Sequence, residues 1–246
     1  QKGRNMFGRS IDKNKGILFV THELDAILRN QAQGIQKEVD GIDPNRFLNT
    51  APEDLKQYLV QRYSVAAITL LRDQWHADHK EVQVDIRHDQ MRWIDDRSRP
   101  VLVPGERIEV RVPFDGDAEL FYASANTWDS NPPRAEIDEN ELVLRYDSPA
   151  DQPRDVRPLV DKALIDIEQY LGWQRSMIDA HNTRLPVLAE EAIQQRRSRL
   201  LAQSKRADSL GIPIKRREDA PKTYVVPTAR RKAVPTLPPA TAAQFQ

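Results

Sequence analysis

Three histidines stand close together in the first half of the chain, His76, His79 and His88, with Asp78, Asp85 and Asp89 among them. Imidazole and carboxylate are ligands for Zn²⁺ or Mn²⁺. The spacing matches no helical pair of histidines one turn apart, and on a strand His76 and His79 point to opposite faces. They read as solvated turn residues, and no metal or other cofactor is expected. The pairs Asp95-Asp96, Asp138-Glu139 (with Glu136 just before) and Glu190-Glu191 have the right types for acid–base chemistry, which needs a cleft that displaces their pKa values. Asp95-Asp96 instead runs into Arg97-Ser98-Arg99-Pro100, a polar loop. The sequence has 9 glycines and no Walker loop, no G-x-G-x-x-G and no G-x-S-x-G, which leaves little room for a phosphate cradle. It has 0 cysteines, which removes thiol catalysis and Cys-ligated metals. No catalytic residue is therefore expected.

The stronger signal is charge. The 246 residues carry 37 Lys+Arg against 37 Asp+Glu, yet the neutrality is an average over unlike parts. Between Gln194 and Lys232 the balance is +9, residues 1–16 add +4, and residues 17–193 hold the compensating −13. Phosphate contacts need Lys and Arg with little acidic competition. Arg196, Arg197, Arg199, Lys205, Arg206, Lys215, Arg216, Arg217, Arg230, Arg231 and Lys232 supply them, and DNA or RNA is the expected partner. Only Tyr224 is interleaved as an aromatic, so base reading along a single strand is not implied. The competing reading has the same charges docking on an acidic body, within the chain or on a neighbour. Among the aromatics, Trp75, Trp93, Trp128 and Trp173, with Phe121 and Tyr122, suit a core or a stacking surface. Trp128 in Asn126-Thr127-Trp128-Asp129 is the candidate for an exposed anchor, and Trp173 for the junction of the long helix with a β unit.

These residues must be positioned by an α+β chain. Residues 1–16 read as a basic loop. Val20, Leu24, Ile27, Leu28 and Ile35 give an amphipathic helix over about 19–39, stopped by Asp40-Gly41. Thr50-Ala51-Pro52-Glu53 reads as a capping box for a second helix with Leu55, Tyr58, Leu59 and Tyr63 on its buried face, so 17–64 is a helical pair. From 65 to 148 the period becomes two. Ala66–Leu71, Val82/Val84/Ile86, Ile108/Val110/Val112, Glu119–Tyr122 and Glu141–Tyr146 predict an antiparallel β sandwich or small barrel. Over 149–211 one long helix is predicted from the seam Val160, Leu164, Ile167, Leu171, Ile178, Leu185, Leu188 and Ala192, with Gln174 and His181 at two seam positions. Pro186 kinks or breaks it near Asn182-Thr183, the kink being favoured because the seam keeps phase. Gly211 is the expected cap, and Thr223–Val226 a short strand inside a basic extension over 212–232. Residues 233–246 form a Pro-rich linker, which implies a further C-terminal domain. The seam also allows a homo-oligomer through the long helix. No stretch approaches a membrane span. The only apolar run near the basic start, Ile17–Val20, is too short for a signal peptide, so a cytoplasmic location is expected.

Leu210-Gly211-Ile212-Pro213-Ile214-Lys215-Arg216-Arg217-Glu218-Asp219-Ala220-Pro221-Lys222-Thr223-Tyr224 and Val234-Pro235-Thr236-Leu237-Pro238-Pro239-Ala240 carry a resemblance, together with Val112–Phe121 and Tyr170-Leu171-Gly172-Trp173. Over about 110–240 the chain resembles the N-terminal region of uncharacterised bacterial proteins in which a proline linker leads to a PD-(D/E)XK-type nuclease domain. The nuclease motif is not in this sequence. The resemblance implies a targeting or assembly module attached to a DNA-cutting effector, as in restriction-like or antiviral defence systems, and carries over no catalytic residue. The expectation is a non-catalytic recognition and assembly module that holds nucleic-acid backbone. The alternative is a structural oligomerisation protein.

Overall fold

The computed structural model describes residues 16–127 and 129–209, with side chains described as far as Arg206. The basic loop before Gly16, the Gly211 cap, the Thr223–Val226 strand and the Pro-rich 233–246 lie outside the described residues. The architecture is α+β. A short strand β1 (His22–Glu23) leads into α1 (Leu24–Gly41), α2 (Pro44–Asn49) and α3 (Pro52–Tyr63). Strands β2 (Thr69–Leu70), β3 (His76–Asp85), β4 (Leu102–Asp115), β5 (Ala123–Ser124), β6 (Glu136–Asp138) and β7 (Glu141–Pro149) follow, and then α4 (Arg157–Ser209).

The expected helical pair is three helices. Asp43 starts α2 by accepting from the N–H groups of Asn45 and Arg46, with Pro44 in the first turn, an N-cap arrangement that needs no long apolar run. That displaces the predicted capping box. Thr50 closes α2 instead, its hydroxyl donating to the Arg46 carbonyl, and Ala51 is the N-cap of α3.

β5 pairs in parallel with β1, and the other strands form one open five-stranded antiparallel sheet in place of the expected sandwich or barrel. β4 is its spine, pairing with β7 on one side and with β3 and β2 at successive positions on the other, while β6 extends the sheet beyond β7. Glu119–Tyr122, expected as a strand, is a 3-10 turn (Ala118–Tyr122) that buries Leu120 and Phe121. Gly116, at φ +115, makes the turn out of β4, a conformation costly for a residue with a Cβ. The second layer over the sheet is α4, far along the chain. Val110, Val112 and Phe114 of β4 and Leu142 and Leu144 of β7 pack with Val160, Leu164, Ile167 and Ile178 of α4 and with Leu24, Ile27 and Leu28 of α1.

α4 has 53 residues and runs without interruption through Pro186, so the break considered near Asn182-Thr183 does not occur. Its distal half carries a second core, in which Leu185, Ala189, Ala192 and Ile193 meet Ile35, Val39, Phe47, Leu55, Leu59 and Tyr63. The two polar seam positions receive the loops that cross the helix. Gln174 donates to the carbonyls of Leu120 and Ala123 (2.8 and 2.5 Å), and a His181 ring nitrogen lies 3.2 Å from the Tyr63 carbonyl. Asn182 accepts from the Val65 N–H and donates to its carbonyl, as a strand neighbour would. The 4-3 seam is thus buried inside one chain, against the sheet and α1/α3. Among the described residues no helix is long and apolar enough to cross a membrane.

Candidate nucleic-acid interface

Residues Arg196 to Arg206 occupy the end of α4 where it leaves the second core, and the structure sorts them into two groups. Arg196 is not a free cation. Its guanidinium donates to the Ile42 carbonyl just past the end of α1, lies 3.7 Å from Asp40 and stands over the Phe47 ring at 5.6 Å, with 13% of its side chain exposed. Arg199 pairs with Asp40 from across the chain. The Asp40 carboxyl is held below its ordinary range by the Gln36 amide first and then by these two guanidiniums, against the opposing effect of burial. Cations at a helix C-terminus offset its exposed carbonyls and macrodipole, so Arg196 and Arg199 tie α1 to α4. For Arg196 this corrects the expectation of a phosphate ligand. Arg197, Lys205 and Arg206 are exposed. Lys215, Arg216, Arg217, Arg230, Arg231 and Lys232 lie outside the described residues.

A second charged array sits on the face of the sheet that α4 does not cover. Strand alternation puts Arg107, Glu109 and Arg111 of β4 on that face with Arg145 and Asp147 of β7. Arg107 grips Asp147 with two parallel bonds (2.7 and 2.8 Å). Glu109, with 7% of its side chain exposed, accepts from Arg111 (2.6 Å) and Arg145 (2.8 Å). Arg111 continues to Asp138 and Glu141, and Arg145 to Glu136. The hydrogen bonds from Arg145 and Arg111 outweigh burial and pull the Glu109 carboxyl down to about 2. The charges of the lattice are thus satisfied by one another across β4, β6 and β7. Sequence reading missed it, although Glu109 and Arg111 alternate with Ile108, Val110 and Val112, and Arg145 sits at the matching phase of the next long strand.

The histidines do not converge. His76 faces Glu141 on the charged side at 3.9 Å, while His79 meets Glu106 on the other face at 2.8 Å. Among the described residues no group of three His, Asp or Glu side chains is placed to hold a metal ion. The carboxylate pairs are separated in role. Asp95 accepts from the Trp93 indole and Asp96 from Ser98, Asp138 holds Arg111, and Glu190 lies 3.7 Å from Lys56. Glu139 makes the β6–β7 turn at φ 52. Phe121 is core and Tyr122 half-buried. Trp173 packs at the helix–sheet junction as expected, 4.7 Å from the Tyr170 ring. Trp93, at 93% exposure, is the projecting aromatic, and Trp128 is outside the described residues.

Comparison with protein-family models, curated proteins and solved structures finds no match to this chain.

Proposed function

We propose that this chain is a non-catalytic recognition and assembly module that holds nucleic-acid backbone through the bases following its second core. The observation that carries this is the sorting of the arginines. Arg196 and Arg199 fix the direction of α4 by docking on the end of α1, so Arg197, Lys205 and Arg206 project from a braced helix and lead in sequence to Lys215-Arg216-Arg217 and Arg230-Arg231-Lys232. Backbone contacts of this kind position a duplex or strand and carry no sequence information. The resemblance to nuclease-linked proteins supports placing the module beside a DNA-cutting effector in a bacterial restriction-like or antiviral system.

The test neutralises Arg197, Lys205, Arg216 and Arg217 to Gln together and leaves Arg196 and Arg199 in place. Binding to a labelled duplex and to a single strand should fall at least tenfold for both, without change in melting temperature. Undiminished affinity for both would remove the nucleic-acid reading. An interchain coiled coil through α4 is not favoured, because Leu164, Ile167, Ile178 and Leu185 are already fully buried within the chain.

A further inference from the structure

β3 is an edge: its only partner among the described residues is β4. An unpaired strand edge presents a row of backbone donors and acceptors to any extended peptide. Two recesses follow one another along the inner side of this edge. At its start, Trp75, Ala77, Ile108, Val110, Val156 and Val160 line an apolar cup of about 310 Å³, with Arg157 stacked over the Trp75 ring at 4.5 Å. Further along, His79, Glu81, Gln83 and Glu106 face a trough of about 650 Å³. Ala77, His79, Glu81 and Gln83 share this face because they are two apart, and the register sets Glu81 directly opposite Glu106. The edge therefore offers an apolar position, then acidic ones four residues later.

We infer that this edge binds the segment Tyr224–Lys232 of a second copy of the chain as an added parallel strand. Taken at period two, that segment turns Tyr224, Val226, Thr228, Arg230 and Lys232 to one side. With Val226 beside Ala77, Tyr224 meets Trp75, Thr228 meets His79, Arg230 meets Glu81 and Lys232 meets Gln83. Apolar side chains enter the cup and bases enter the acidic trough in the same register. Pro227, which has no N–H, is tolerated at an edge. The other apolar-then-basic stretch, Ile212-Pro213-Ile214-Lys215-Arg216-Arg217, fits less well, since its charge begins two residues after the inward Ile214 instead of four.

The donor must be another molecule. Val160, which lines the cup, is about 74 Å along α4 from Ser209, and a proline bend shortens that by only about a few Å. The chain from Ser209 to Val226 reaches at most about 60 Å even when fully extended. Head-to-tail contacts of this kind are heterologous and give rings or open chains.

The experiment uses the full chain in light scattering and sedimentation at rising concentration. The mass should climb from 28.3 kDa to that of a closed ring of two or more copies or of an open chain. Ala77→Arg, at an exposed strand position, and Val226→Asp should each hold the chain at the monomer mass with unchanged melting temperature. Mixed together they retain one working cup and one working tail, so they should form a discrete dimer. Glu81→Lys and Arg230→Glu should each weaken association and together restore it. A wild-type chain that stays monomeric, or variants that associate as the wild type does, would overturn the inference. Because Arg230 and Lys232 cannot fill the trough and hold phosphate at once, duplex binding is compared at concentrations where the wild type is monomeric; there Ala77→Arg should bind as the wild type does, so the two readings fail separately.

Discussion

Replacing Arg196 and Arg197 one at a time by Met separates two neighbours that look alike in sequence. Arg196→Met keeps the aliphatic stem but removes the guanidinium that donates to the Ile42 carbonyl and stands over Phe47. A hydrogen bond from a charged donor contributes about 1.5–3 kcal/mol, and a cation–π contact that is mostly out of water adds about 1 kcal/mol. The half-exposed Asp40 at 3.7 Å adds a few tenths at most. Ile42 is itself only half-buried, so water recovers part of the loss, and the net cost should be about 2 kcal/mol. Arg197→Met, at an exposed position, should stay within about 0.5 kcal/mol. Urea unfolding of both variants, followed by circular dichroism at matched m-values, measures the difference. Equal stability of the two variants would refute the bracing role of Arg196. There is a practical consequence for binding work. Reversing Arg196 and Arg199 along with the exposed bases would loosen the α1–α4 junction, and a loss of nucleic-acid binding could then not be assigned to charge.

Three further outcomes are expected. The Glu109 carboxyl lies at about 2 instead of 4.5, so its stabilisation is complete above pH 4.5 and is lost as pH falls toward 2. The displacement corresponds to at most about 3 kcal/mol, reduced by the exposure of the arginines around it. Acid unfolding should therefore flatten over this range in Glu109→Gln, and an unchanged profile would count against the network. His181 has its pKa lowered by burial, partly countered by the Tyr63 carbonyl; the unfolded chain takes up the proton first, so wild-type stability should decline as pH drops below about 6.5, and His181→Gln should remove that part of the slope. Gly116→Ala should destabilise by more than about 1 kcal/mol in urea, because φ is +115 and a Cβ would stand 2.6 Å from the Ala67 carbonyl oxygen.

What the sequence made legible was periodicity. The seam from Val160 to Ala192 and the alternation in Ile108–Val112 each mark an element and its buried face, because side-chain direction follows directly from the repeat. What it concealed was the identity of the covering layer. The same alternation suits a sandwich, a barrel or an open sheet, and the choice was made by α4, which the strands do not encode. Local signals failed where two competed, as at Thr50, which Asp43-Pro44 pre-empted by starting a helix early. Charge was legible only as two competing readings, phosphate or an acidic body, for a related reason. Arg199 and Asp40 are 159 residues apart, and a local count of bases cannot see a carboxylate that folding brings to them.

If the bases beyond the second core hold phosphates, duplex binding by the intact chain must weaken steeply with salt. Each phosphate contact should contribute about −0.9 to the slope of log affinity against log salt. The expected slope is several units, reduced by about one for each of Arg197, Lys205, Arg216 and Arg217 changed to Gln, and unchanged in Arg196→Met. A slope near zero, or no binding at low salt, would contradict the nucleic-acid reading.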